Sequence, residues 1–495
     1  MTTAKELLTK MRLGTSVAEF DEDLENYFVR TNVFHEFING RKDIIAGDKG
    51  TGKTAIFRYL NKNFSLIEEL DGKLLIAAFN PSGSPIFSQL SDQNIINESQ
   101  YSSLWKLYIF ALVGNTIIQG DTRLEGSQLD LLLKALGVRI AIPSPKNVFG
   151  TVLSRLPNFF HWKSAELSMT ISESGIPIIV PKIEFADRDE KGSSSDFVSP
   201  EDALAILDRT VSESGQEIWV SFDRLDEAFH GQPDTEVKAL RALLRTYLDL
   251  SDLEAIKLKL FLRKDLFRRV TSGGFVNLTH INAKKIEIIW DEEDLLNLLA
   301  RRIRENSDFS TTLGIDNADD QAIFDRIFPD QVDLGSRKPK TWIWMMRRIR
   351  DGNDSKPPRN LIDLISHARE AQIRKEDRQT RDFTSSPLIE PDALRKGLTQ
   401  LSQSRVNDTL IAESGILSLE IEKFRGGKAE HNATSLSYIL GTSEDNVMAA
   451  IKPLRDIGFL EETGGTFKIP ALYREGLEVT QGKAFQDDGN PEDDD

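Results

Sequence analysis

Residues 47–54 read Gly-Asp-Lys-Gly-Thr-Gly-Lys-Thr, a complete G-x-x-x-x-G-K-[ST] pattern, and its flanks restrict what the chain can fold into. Before it runs Asp43-Ile44-Ile45-Ala46, a short apolar strand, and after it Ala55-Ile56-Phe57-Arg58-Tyr59-Leu60 continues at helical spacing. A loop of this composition between a strand and a helix turns backbone N–H groups around phosphate oxygens, with the helix N-terminus adding partial positive charge. Gly47, Gly50 and Gly52 permit the turn, and Asp48, Lys49, Thr51 and Ala55 complete the cradle. Lys53 then reaches the β/γ-phosphates and Thr54 ligates Mg²⁺ through its hydroxyl. The alternative, a glycine-rich turn that merely joins strand and helix, is disfavoured by both flanks.

The chain has 495 residues, enough for about three domains with cores of their own. It contains no cysteine, which excludes disulfides and thiolate metal sites and suits a cytoplasmic location. Lys5, Glu6, Lys10 and Arg12 interrupt the N-terminal apolar residues, so no secretory signal is expected. The longest apolar run, 105–118, includes Lys106 and Asn115 and is too short to span a bilayer, so a buried helix and no membrane partner are expected. Net charge is −16, which disfavours broad non-specific nucleic-acid binding but leaves room for a local basic face. Residues 486–495 form an acidic tail expected to be disordered.

Five apolar runs, 43–47, 73–79, 217–223, 256–263 and 284–290, alternate with helical patterns and predict a three-layer α/β core with a mostly parallel sheet. The boundaries expected are an N-terminal segment 1–42, a core 43–290 with an insertion at about 80–216, a helical lid 291–383 and a C-terminal domain 391–480. The insertion is predicted to hold the buried helix at 102–118, a helix near 126–136 and a hairpin around Ser174-Gly175. Ser199-Pro200-Glu201-Asp202 then caps a helix leading to the third strand. Near the C-terminus, helical patterns at 392–413, 417–424, 433–440 and 444–457 precede two short strands around Gly464-Gly465, which describes a winged helix.

Hydrolysis needs metal and water placed opposite the phosphate loop, and the third strand ends in a carboxylate, Asp223, followed by Arg224-Leu225-Asp226-Glu227. Asp223 is assigned to Mg²⁺ or its water shell. Arg224 occupies the neighbouring position where many ATPases keep a catalytic glutamate. The water-polarising base is then Asp226 or Glu227, with Glu227 preferred, while helix N-terminal capping is the alternative role for either. Arg263 closes the fourth strand and is a candidate for the γ-phosphate; Arg359, in Pro357-Pro358-Arg359, opens a lid helix and is a candidate nucleotide sensor. Ordinary salt bridges are the alternative for both. Arg268 and Arg269 are candidates to act across a subunit interface.

The order of phosphate loop, Asp-x-x-Asp-Glu strand end, strand-end Arg, lid with Pro-Arg at a helix start and winged helix resembles the AAA+/STAND group of P-loop ATPases. It is most similar to an incompletely characterised bacterial family, through Leu13-Gly14-Thr15-Ser16-Val17-Ala18-Glu19-Phe20-Asp21 and Tyr27-Phe28-Val29. The resemblance covers residues 13 to about 476, is specific at 47–54 and 222–227, and is weak in the insertion. It implies ATP as nucleotide, a sheet ordered 5-1-4-3-2, and a nucleotide-driven switch, often a homo-oligomer acting with an effector protein. Relatives in bacterial antiviral defence are also implied. Arg224 departs from the pattern and points to slow hydrolysis.

DNA is the alternative partner, as for an initiator-like ATPase that binds or remodels it. The helix that would enter a groove, 444–456, carries three acids and two bases and contains Pro453, which favours protein docking or intramolecular restraint over base reading. The better basic stretch is 337–381, with 13 Lys/Arg against 6 Asp/Glu and with Trp342 and Trp344 among them. It could track a phosphate backbone or be a solvated face over a Trp-anchored core.

Overall fold

Parallel strands buried on both faces read as nearly continuous apolar runs, and this chain has them. In a computed structural model, which describes residues 2–79, 97–160, 169–171, 177–179, 199–225, 233–383 and 387–485, these runs form one sheet. Its strands are β1 (Ile44–Gly47), β2 (Lys73–Phe79), β3 (Glu217–Phe222), β4 (Ile256–Arg263) and β5 (Lys285–Glu287). They lie in the order β2-β3-β4-β1-β5 with every neighbouring pair parallel, which is the 5-1-4-3-2 arrangement. The fifth strand is shorter than its sequence run of 284–290: Lys284 ends a helix, Leu278–Lys284, and pairing with β1 stops at Glu287.

The chain divides into two compact units, residues 32–47 with 56–287, and residues 1–31 with 48–55 and 288–495. In the sheet-bearing unit, Asn97 and Gln100 form a reciprocal cap that starts a helix, Glu98–Gly120. That helix is apolar around most of its circumference and buries Trp105, Tyr108 and Phe110 completely. Further helices follow at Gln128–Ala135 and Pro145–Phe160, the latter unforeseen from sequence. Met169–Ile171 pairs antiparallel with Pro177–Ile179; the intervening Ser174-Gly175 lies outside the described residues. Ser199 and Asp202 cap Pro200–Glu213 as expected. Lys259, in the middle of β4, is 1% exposed; it pairs with Asp43 at 2.6 Å and sits 3.8 Å over the Trp219 ring.

The other unit joins α1 (Ala4–Lys10), α2 (Glu292–Arg304), α3 (Thr341–Ile349), α4 (Pro358–Glu376) and α5 (Pro391–Ser404), the last continuing as a π-helix, Arg405–Ile411. After Leu417–Glu422 come β6 (Lys428–His431), α6 (Ala433–Leu440), α7 (Glu444–Asp456), β7 (Glu461–Thr463), β8 (Thr466–Lys468) and β9 (Thr480–Lys483), whose strands are ordered β9-β6-β8-β7. One hydrophobic cluster runs through both lid and C-terminal elements. The segment expected to separate them is itself core: Leu388 and Ile389 are fully buried, and the Ile389 N–H bonds the Ile327 carbonyl at 2.9 Å. Among the described residues no helix is long and apolar enough to cross a membrane.

Candidate functional site

The phosphate loop holds its shape with its own groups. The Asp48 carbonyl accepts from the Thr51 hydroxyl at 2.8 Å and from the Lys53 ammonium at 2.9 Å. Gly50 and Gly52 have φ of 80° and 103°, conformations that side chains rarely adopt. A Cβ at Gly50 would also stand 3.0 Å from Cβ of Arg359, so the closeness of these two residues requires glycine. Thr54 is half-buried at the second position of the helix Lys53–Asn63.

Three groups from residues 288–495, which share a compact unit with residues 48–55, reach this loop. The Trp290 indole donates to the Thr51 carbonyl at 2.8 Å. Arg359, placed at a helix start by the preceding Pro358, packs on Gly50 and donates from Nε to the Ser16 carbonyl at 3.4 Å. Burial, then the nearby Arg405 guanidinium, lowers the pKa of Arg359. Lys49 forms an ion pair with Glu413. Asp351 lies close enough to Asp48 to feel its charge; burial pushes its carboxyl up to about 6, although it accepts bonds from the Asn353 and Ser355 N–H groups at 2.9 Å.

At the carboxyl edge of the sheet, Gly47 stands opposite Arg263 in the β1–β4 ladder. Asp223, directly after β3 and across β4 from β1, is 1% exposed. Gly47, Arg263 and Asp223 therefore share the edge from which the phosphate loop departs. Arg263 is engaged: its Nε and Nη2 donate to Asp265 at 3.1 and 2.9 Å. Burial raises the Asp265 carboxyl, but Arg263 overrides it and the pKa ends below its usual value. Arg224 adopts φ 56°, an uncommon conformation for a side-chain-bearing residue, which turns the chain sharply after Asp223. Asp226 and Glu227 lie outside the described residues. Arg269 pairs with Glu236, and Arg268 is exposed.

The basic stretch is more structural than its composition suggests. Trp344 is 2% exposed, Trp342 packs edge-on against Phe324, and Arg348 stacks 4.1 Å over Trp344 with Asp333 at 3.6 Å. Arg347 remains exposed. The exposed face of α7 opens with Glu444 and Asp445. Among the described residues no cluster of three or more His, Asp or Glu forms a metal site.

Sequence reasoning missed Trp290, Asp351 and Glu413, which come to the loop from far along the chain, and Arg405, which lies near Arg359. Trp290 was visible only as the end of an apolar run.

A parallel sheet in the order 5-1-4-3-2, with G-x-x-x-x-G-K-T between its first strand and the next helix, defines a P-loop NTPase core of the three-layer α/β class. No family model matches the chain. A putative transposon gamma-delta 80.3 kDa protein of Escherichia coli K12 is 24% identical over 404 residues, covering 80% of this chain and 50% of that protein. The chain thus spans half the length of the curated relative it matches. Among solved structures, the Walker-type ATPase PABY2304 of Pyrococcus abyssi aligns with 95% of this chain and 100% of its own at 11% identity and a TM-score of 0.38. The Aeropyrum pernix ORC2 protein in ADPNP–ADP complexes aligns over 90% of this chain and 89% of its own, at 12% identity and a TM-score of 0.37. The Aeropyrum pernix ORC1 protein in complex with DNA aligns over 97% and 98% at 12% identity and a TM-score of 0.32. These likenesses are remote, and the class rests on the strand order and the loop.

Proposed function

We propose that the chain is a Mg²⁺-dependent, ATP-binding and ATP-hydrolysing switch of the AAA+/STAND kind, in which nucleotide state is passed to the lid and a C-terminal winged helix. The observation that carries this reading is the phosphate loop itself, contacted at Lys49, Gly50 and Thr51 by Glu413, Arg359 and Trp290. Any rearrangement of the loop around phosphates must be accommodated by the elements those three residues belong to. The element order helix, β6, α6, α7, β7, β8, with β6, β8 and β7 antiparallel in that order, supports the winged-helix reading.

The residues present suit the proposed ligands. Positive-φ glycines leave a cradle without side chains, Lys53 supplies a cation within the loop, and a hydroxyl and a buried carboxylate, Thr54 and Asp223, would hold the metal. Bound there, Mg²⁺ would neutralise phosphate charge. Lys53 would exchange the Asp48 carbonyl for a phosphate oxygen, and Arg263 would have to leave Asp265 to reach the γ-phosphate. Glu227, or else Asp226, would orient the attacking water. Phosphate release under single-turnover conditions tests this: Glu227→Gln should retain ATP and release phosphate much more slowly, and full-rate release would contradict that role. Nucleotide-dependent assembly into a homo-oligomer is part of the proposal, and mass measured with ADP and with ATP checks it.

The second reading is an ATPase whose nucleotide state sets its affinity for DNA. It is favoured by the winged-helix element order and by the Escherichia coli relative's description as a putative transposon protein. A gel shift with and without ATP across a salt series separates the two. Steep salt dependence reduced by Arg347→Glu would favour the DNA reading.

A further inference from the structure

The phosphate loop already holds an anion. Lys49, between Asp48 and Gly50, is paired with the carboxylate of Glu413, 364 residues later in the chain. Both side chains are partly open to solvent, 40% and 31% exposed, so the pair is weak by itself and accessible to exchange. Charges of both signs border the loop, with Glu19 and Asp363 near Arg359 and Asp351 near Asp48. Arg359 lies on Gly50, Arg405 lies near Arg359, and Arg405 pairs with Asp363, leaving its Nε buried with no hydrogen-bond partner. Glu413 therefore meets the loop at Lys49, the residue before the glycine on which Arg359 packs.

Its carrier is unusual too. Residues Arg405–Ile411 form a π-helix, a rare geometry that recurs at functional sites, and Ser414 just beyond Glu413 bonds back to the Leu410 carbonyl. A π-helix has more residues per turn than an α-helix. Reverting to α-helical register would thus change the direction of every residue after Ile411 without melting the segment.

We infer that Glu413 is a built-in competitor for the incoming phosphates: it restrains the loop through Lys49, and a triphosphate must displace it. This rests on the nucleotide-site reading above and adds its regulation. A polyphosphate brings several negative charges to the same cations, so carboxylate and phosphates repel each other while competing for Lys49. Displacement frees the segment 405–414, and by linkage, whatever frees that segment tightens nucleotide binding.

The test is ATP affinity of the full chain and of Glu413→Gln, measured by calorimetry after thermal melting has shown both to be folded. The variant should bind ATP about 5-fold or more tightly, the low end of ordinary coupling. Equal or weaker binding by the variant overturns the inference while leaving the nucleotide site intact. Failure of both proteins to bind ATP overturns the nucleotide site and the inference with it. Hydrogen exchange on the unaltered chain gives a readout free of mutation: ATP should accelerate amide exchange across 405–414, and no change there contradicts the displacement.

Discussion

Gly397 of α5 lies against the backbone of α4 so closely that a Cβ would stand 2.8 Å from the Leu364 carbonyl oxygen and 2.8 Å from the Ala368 nitrogen. Helix backbones approach this closely only where a side chain is missing. The contact joins the lid to the C-terminal elements, which already share one hydrophobic cluster, and makes them a single body. Gly397→Ala should therefore cost about 1–3 kcal/mol of stability through overpacking, read as a lower urea midpoint. An unchanged midpoint would mean that the two helices separate freely, and the single-body account would fail.

Arg302 and Asp21 form an ion pair at 2.9 Å with 5% and 2% of their side chains exposed, and Arg302 also lies 4.2 Å from the Tyr27 ring. The pair fastens the N-terminal segment to α2. Arg302→Ala leaves the Asp21 carboxylate buried without its countercharge, which typically costs about 3–5 kcal/mol. Chemical denaturation checks this, and a loss below about 1 kcal/mol would show that the site opens to water.

Asp351 sets a pH dependence of uncommon sign. Its folded pKa of about 6 lies above the usual carboxylate range, chiefly through burial, with Asp48 and Asp354 adding repulsion. Between roughly pH 4 and 6 the folded chain then binds more protons at this group than the unfolded chain, so the group's contribution to stability falls as pH rises and is lost above 6. Asp351→Asn keeps an Oδ1 acceptor for the Asn353 and Ser355 N–H groups while removing the charge. Compared with the unaltered chain, this variant should be more stable at pH 7 and should lack this group's fall in stability between pH 4 and 6. Parallel pH profiles of the two proteins would contradict it.

Asp223→Asn should leave ATP binding without Mg²⁺ intact and slow Mg²⁺-dependent phosphate release by roughly 100-fold, the scale for removing one preorganised electrostatic group. Unimpaired release would remove Asp223 from the proposed metal site.

The sheet was legible because its strands are buried on both faces, so residues such as Ile44, Ile45 and Trp219 had to form apolar runs. The phosphate loop was legible because its glycines and Lys53-Thr54 are contiguous. Lys259 was not, since nothing local marks a strand lysine as paired with Asp43 beneath Trp219. The strand Lys428–His431 has no apolar alternation and forms only because β8 and β9 flank it. A boundary was expected between the lid, 291–383, and the C-terminal domain, 391–480, yet Leu388 and Ile389 in that gap are buried in a cluster that both share. The contacts of Glu413, Trp290 and Arg359 with the loop depend on tertiary proximity, which spacing along the chain does not encode.

The most direct test of the central claim is calorimetric titration of ATP with Mg²⁺ into the full chain and into Lys53→Ala. The account predicts saturable binding by the first and binding weakened by roughly 100-fold or more in the second, as expected for removing a charge-assisted phosphate contact from a low-dielectric site. Equal affinity in both proteins, or no ATP uptake by the unaltered chain, would contradict it.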